Sequence, residues 1–256
     1  MLTTNNMRYF LWRTFAAGTL LAVLLAGSLE RRLAAATDEP VFDSAPEAVE
    51  ALHRAVASGD QAAIEHLIGR AASSNDEVQD KADRRQFIEK YSEMHRLLKQ
   101  PDGTTVLYIG AENWPFPVPL VSGGGKWRFD ADAGAQEIVY REIGEDESIA
   151  IDVSRALAHP DIKTSDQAIV QYARQMAAAT DAQPKTVFGY QFVIQRKSTG
   201  VVVLAYPKEY GSSGIMTFLT TAAGSIYEKD LGPKTAASAQ RAASLRPDRT
   251  WHLTEE

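Results

Sequence analysis

Short runs of β-branched and aromatic residues, separated by Gly, Ser and Pro, characterise the segment from Phe188 to Gly232. The runs are Tyr190–Ile194, Val201–Tyr206, Ile215–Leu219 and Ser225–Tyr227. Runs of this length, with turn-forming residues between them, are typical of antiparallel strands joined by short connections. The pattern therefore predicts an antiparallel ribbon or sheet in this part of the chain.

Helical spacing of apolar residues predominates before this ribbon. Val49, Leu52 and Val56 lie on one side of a predicted helix that Ser44 caps and Pro46 begins. Further helices are predicted after Asp60, from Asp83 to about Lys99, after Asp130 and after Ser165, and a closing helix at Lys234–Leu245 follows the ribbon. Groups of helices and groups of strands thus follow one another along the chain.

A small sheet is predicted among the first helices. Thr105–Ile109 and Lys126–Asp130 have strand patterns, whereas three prolines restrict Trp114–Leu120 to a sheet edge or an extended crossing. The expected fold class is α+β, with N-terminal helices and a small antiparallel sheet, then a C-terminal antiparallel ribbon or sheet with a closing helix. We expect a helical lobe over residues 42–180 and a sheet lobe over residues 186–256.

Residues 1–36 have the order of an export signal. Arg8 and Arg13 precede an apolar run, Thr14–Leu29, and small residues follow up to Ala36. The run is short for a membrane span, which takes about 20 apolar residues. A cleaved signal peptide, an uncleaved anchor and a buried N-terminal helix are the three interpretations. The first two predict a protein in the periplasm, or one anchored in the inner membrane and facing the periplasm.

The composition of the chain excludes several classes of function. The net charge of −6 and the lack of a basic stripe argue against a nucleic-acid-binding protein, because phosphate binding requires clustered Lys and Arg. The chain has no Cys, which excludes disulfides, thiolate zinc sites and a thiol nucleophile. The five histidines have no metal-ligand spacing. We therefore predict no metal site and no cofactor, and membrane contact only through an uncleaved N-terminal segment.

Carboxylates are densest between Asp130 and Asp152. Asp130, Glu137 and Glu142 are candidate acid and base residues of a hydrolase if the fold holds them in a cleft. The alternative is a solvated helix face with caps and ion pairs. The two serines within Gly211–Gly214 are predicted to form a turn into a strand, because a nucleophile elbow leads from a strand into a helix.

Several aromatic residues are candidates for a binding surface. Trp114 is favoured for surface recognition, because its proline-restricted segment cannot be a central strand. Core packing of a small sheet is the alternative for this set. The candidate residues for binding a ligand or partner are Trp114, Phe116, Trp127 and Tyr210.

Five segments in this order resemble the bacterial exported family known as domain of unknown function 2950. They are Glu112–Leu120, Lys126–Asp130, Glu137–Gly144, Tyr210–Phe218 and Tyr227–Pro233. The resemblance covers about Phe42 to Trp251 and implies export and one shared architecture, but no activity. It also implies a departure from the family, because members usually carry a longer insert where this chain has only Asp181–Val187.

Two function hypotheses follow. The leading one is an exported bacterial envelope protein that binds an envelope protein or small ligand, both unidentified, without catalysing a reaction. The competing one is a periplasmic hydrolase that uses acidic residues between Asp130 and Glu147.

Overall fold

A computed structural model describes residues 39–70, 77–159, 167–178, 185–198, 200–241 and 246–254. The predicted export signal or anchor, residues 1–36, lies outside these ranges. Contacts between residues divide the chain into two compact units, with the division between Ile138 and Val139. None of the helices in the described ranges combines the length and the apolar character that a membrane span requires.

The described residues of the first unit form three complete helices, the start of a fourth and a five-stranded antiparallel sheet. The helices are α1 (Ala45–Ser58), α2 (Gln61–Ile68) and α3 (Glu77–Glu93). The strands are β1 (His95–Lys99), β2 (Thr105–Ile109), β3 (Trp114–Pro115), β4 (Leu120–Gly123) and β5 (Lys126–Phe129). The order across the sheet is β1-β2-β4-β5, and β3 pairs with β2.

The first two helices begin where the sequence indicates. The Ser44 side chain accepts from the backbone N–H of Glu47 (3.3 Å), and the Glu47 carboxylate accepts from the N–H of Asp43 (3.0 Å). These bonds satisfy donors that a helix start otherwise leaves without partners. Gly59 ends α1, and the Asp60 side chain then caps α2.

The predicted continuation of the third helix to about Lys99 is wrong. Helix α3 ends at Glu93, and the following residues form β1, which pairs antiparallel with β2. The Gln100 N–H donates to the Thr104 carbonyl (2.8 Å) and closes the hairpin. Leucines at positions 97 and 98 fit a helical spacing, but pairing with β2 satisfies their backbone groups in a strand instead.

Helices α1 to α3 contact the sheet and form the core of the first unit with it. The alternation in β2 places Leu107 and Ile109 in this core, whereas Tyr108 is half-buried on the other face. Phe116, from the proline-rich segment after β3, is also buried there.

The second unit contains the rest of α4 (Ala131–Ala158), which begins in the first unit, and a six-stranded antiparallel sheet. Its other helices are α5 (Gln167–Ala178) and α6 (Thr235–Arg241). Its strands are β6 (Lys185–Val187), β7 (Tyr190–Lys197), β8 (Gly200–Pro207), β9 (Met216–Thr220), β10 (Ile226–Asp230) and β11 (His252–Leu253). The order across the sheet is β11-β10-β9-β8-β7-β6.

The α+β fold class and the C-terminal antiparallel sheet with a closing helix are confirmed. The sheet is wider than the four predicted runs, because β6 and β11 pair at its two edges. Strand β6 lies within the short connection Asp181–Val187. The contact division inside α4 lies earlier in the chain than the expected lobe boundary near residue 180, which stays a prediction about domain organisation.

Strand β8 lies in the middle of this sheet and is buried from Val202 to Pro207. On one face, Leu204 and its cross-strand partner Leu219 cluster with Ala239 of α6. Consecutive side chains in this part of β8, which point to opposite faces of the sheet, are all buried. The sequence of the strand is therefore a continuous apolar run and not an alternation of apolar and polar residues.

Candidate functional site

Trp114 lies on β3, where it pairs with Ile109 of β2. Its side chain is half-buried and packs against the core of the first unit. The preceding residue, Asn113, has a positive φ of 56°, a conformation that asparagine adopts more readily than most residues. A tight turn therefore presents Trp114, and the indole keeps part of its surface in contact with solvent.

An ion pair holds the loop before Trp114. The Lys90 ammonium of α3 lies 2.5 Å from the Glu112 carboxylate. The hydrogen bond to Glu112 raises the pKa of Lys90, and the same bond lowers the pKa of Glu112. Gly110 leaves room for the pair, because a Cβ there would lie 2.8 Å from the Lys90 Cδ and 2.9 Å from a Glu112 carboxylate oxygen.

The other predicted aromatic residues have different surroundings. Phe116 is only 9% exposed, and its ring lies 6.4 Å from that of Trp114 and 5.7 Å from that of Phe87. Trp127 on β5 is half-buried and packs against the same core. Tyr210 lies in the second unit, where its hydroxyl donates to Asp230 (3.0 Å) and burial raises the pKa of its phenol.

The candidate acids Asp130, Glu137 and Glu142 lie at or along α4. The Asp130 carboxylate caps the helix by accepting from the N–H of Ala133 (3.1 Å). Glu137 and Glu142 are half-buried side chains within the helix. A rise of about 1.5 Å per residue places Asp130 about 18 Å from Glu142 along the axis. Hydrolysis by these acids stays a prediction. No group of three or more potential metal ligands occurs within the described ranges.

Glu147 has a role that the sequence analysis missed. One of its carboxylate oxygens accepts from the backbone N–H groups of Ile215 (2.8 Å) and Met216 (2.9 Å) at the start of β9. The same oxygen lies 3.5 Å from the Tyr190 hydroxyl, which donates to the Met216 carbonyl at 2.8 Å. We refer to this arrangement of Glu147, Tyr190, Ile215 and Met216 as the Glu147 latch. It joins α4 to the sheet of the second unit.

Gly214 leaves room for the ring of Tyr190, which is 0% exposed. A Cβ at Gly214 would lie 2.3 Å from the phenolic oxygen of Tyr190 and 2.6 Å from one ring carbon. The two serines next to Gly214 lie in the turn before β9, as predicted, and the Ser213 hydroxyl accepts from the N–H of Glu209 (3.0 Å). This short-range bond gives the Ser213 side chain a role in the turn.

Alkaline pH is expected to weaken the fold through Tyr190. Burial, together with Glu147 and Asp146, raises the pKa of the Tyr190 phenol above its ordinary value of 10.0. Above about pH 10, Tyr190 loses its phenolic proton in the unfolded chain and keeps it in the folded chain. The free energy of unfolding is therefore unaffected below about pH 10 and falls by about 1.4 kcal/mol per pH unit above it.

Urea denaturation between about pH 8 and about pH 11 measures this fall. The Tyr190→Phe variant should be less stable at neutral pH, because the Met216 carbonyl loses its donor, but its stability should fall less with pH. If the free energy of unfolding fell equally with pH in the wild type and in Tyr190→Phe, Tyr190 would have the same pKa in the folded and unfolded states.

Two histidines that are isolated in the sequence both contact Tyr91 in the first unit. The rings of His53 and His95 stack on Tyr91, with centroid distances of 4.4 and 3.9 Å. The His95 Nδ1 lies 3.0 Å from the backbone carbonyl of Tyr91. Because a carbonyl oxygen only accepts, Nδ1 carries the hydrogen of this bond. His95 is exposed at the start of β1.

A comparison with protein-family models identifies the chain. The model described as "Protein of unknown function (DUF2950)" matches residues 39–185 and 181–254. The two ranges overlap at residues 181–185. Searches of the curated proteins and of the solved structures found no match. The chain therefore belongs to the DUF2950 family, whose function is unknown.

Proposed function

We propose that this chain is an exported bacterial envelope protein that binds a partner or ligand without catalysing a reaction. Arg8, Arg13 and the apolar run Thr14–Leu29 support export. The observation that carries the binding role is the position of Trp114, which is half-buried on a two-residue strand. The partner is an envelope protein or a small ligand that presents an apolar group to the indole.

Three features support binding at Trp114. The Lys90–Glu112 ion pair and the turn at Asn113 hold the loop before the indole. The ring of Phe116 contacts it edge-on, at an interplanar angle of 76°. A side chain that is already ordered loses little conformational entropy on binding, and tryptophan is enriched among residues that dominate binding energy.

A pull-down from an envelope extract tests the proposal. We expect wild-type protein to retain a partner that the Trp114→Ala variant loses, because truncating a central aromatic contact typically costs 2 kcal/mol or more, about a thirtyfold loss of affinity. The matched control is Trp251→Ala, which removes a half-buried indole from the second unit. Identical partners for wild type and a correctly folded Trp114→Ala variant would contradict binding at this surface.

A further inference from the structure

Strand β1 is the last strand at one end of the first unit's sheet. At the other end, the backbone of Phe42 exchanges two hydrogen bonds with Trp127 of β5, both 2.8 Å, and so covers that edge. Within the described ranges, no backbone group pairs with the outer edge of β1. The two ends of the sheet therefore differ, and β1 offers backbone groups for pairing.

Hydrogen bonds at both ends of the β1–β2 hairpin show which groups face outward. Gln100 pairs with Thr104 (2.8 Å), and Met94 pairs with Gly110 (2.9 Å). Hydrogen-bonded pairs alternate along antiparallel strands, so the even-numbered residues of β1 bond to β2. The residues that direct their N–H and C=O groups to the open edge are His95, Leu97 and Lys99.

The side chains of β1 follow a symmetrical charge pattern. Arg96 and Lys99 are exposed cations on either side of Leu97 and Leu98, and Leu98 is 39% exposed. The Arg96 guanidinium lies 5.8 Å from the ring centre of Tyr108. The acids that flank the hairpin have partners of their own, because Glu93 pairs with Lys90 and Asp102 accepts from Thr104.

This pattern disfavours pairing between two copies of the chain. Pairing of β1 with β1 of a second copy would bring the exposed cations Arg96 and Lys99 of both copies into one strand pair. Like charges at neighbouring positions of a strand pair repel each other, and edge cations are a common protection against self-association. An edge with these charges instead fits a chain that carries acids at the matching positions.

We propose that β1 binds an extended segment of a partner protein with the pattern acid–apolar–apolar–acid. Backbone pairing with His95, Leu97 and Lys99 would provide affinity, and the acids opposite Arg96 and Lys99 would provide specificity. Since the pattern reads the same in both directions, it fits a parallel or an antiparallel strand. This site is separate from the Trp114 surface and does not depend on it.

Two synthetic peptides test the proposal on the isotope-labelled full chain. The probe is Ser-Glu-Val-Val-Glu-Ser, and its counterpart has Lys in place of Glu. We expect the Glu peptide to shift the amide signals of His95 to Lys99 and to slow hydrogen exchange at His95, Leu97 and Lys99. We expect the Lys peptide to bind about tenfold more weakly, because it places like charges opposite Arg96 and Lys99.

Charge reversal provides the decisive comparison. The double variant Arg96→Glu/Lys99→Glu should prefer the Lys peptide, whereas the control Lys208→Glu/Lys234→Glu, at two exposed lysines of the second unit, should keep the wild-type preference. Equal binding of both peptides, signals elsewhere in the chain, or an unchanged preference in the double variant would overturn the proposal. A partner lost on Trp114→Ala would still support the proposed function if β1 binds neither peptide.

Discussion

The Gly214→Ala variant is expected to lose about 3 kcal/mol of its free energy of unfolding. The new Cβ would lie 2.3 Å from the phenolic oxygen of Tyr190 and 2.6 and 2.7 Å from two ring carbons. The ring cannot move away easily, because it is fully buried, lies 5.8 Å from the ring of Phe218 and donates to the Met216 carbonyl. Backbone of the β9 turn or the Glu147 latch must therefore shift.

Urea denaturation followed by circular dichroism measures this loss. The matched control is Gly123→Ala at the end of β4, where no atom lies within 4 Å of the added Cβ and the φ angle is not left-handed. We expect that control to stay within about 0.5 kcal/mol of wild type. Equal stability of the two alanine variants would mean that the ring of Tyr190 repacks without cost.

The Glu147→Ala variant is expected to lose a similar amount, also about 3 kcal/mol. Alanine removes the carboxylate oxygen of Glu147 that accepts hydrogen bonds from both the Ile215 and the Met216 N–H groups. Hydrogen bonds to charged groups are stronger than neutral ones, and a donor left without a partner loses its solvation as well. The start of β9 should therefore become the weakest part of the second sheet.

Hydrogen exchange of the Ile215 and Met216 amides, together with urea denaturation, tests this expectation. The Glu147→Gln variant keeps an oxygen acceptor and should lose only about 1 kcal/mol. The Glu50→Ala control removes one partner of an exposed ion pair with Arg54 and should be nearly neutral. Unchanged amide protection in Glu147→Ala would exclude the latch as a stabilising contact.

Features encoded by neighbouring residues could be predicted from the sequence. The predicted run Val201–Tyr206 lies in β8, where it is buried from Val202 onward, and Asp130 caps α4. Strand runs, capping residues and turn residues act over a few positions, so their signal is present in the local sequence. The α+β class followed from the order of these elements.

The spacing of apolar residues could not predict the structure where the same residues fit both a helix and a strand. Leu97 and Leu98 continue the apolar spacing of α3, but they lie in β1, opposite Leu107 and Val106 of β2. A helix and a hairpin both satisfy the backbone, and pairing with β2 decides between them. That pairing, which creates the open edge proposed as a binding site, depends on residues beyond the turn.

The sequence by itself determined the fold class, the strand runs, the helix caps and the acidic and aromatic candidates of this protein. Only the tertiary structure showed that Phe116 is a core residue and that Glu147 forms the latch. Glu147 and Ile215 are 68 positions apart in the sequence. His53 and His95 are also distant in the sequence, and both stack on the ring of Tyr91. Contacts at such separations arise when packed elements bring side chains together, so they leave no periodic signal in the sequence.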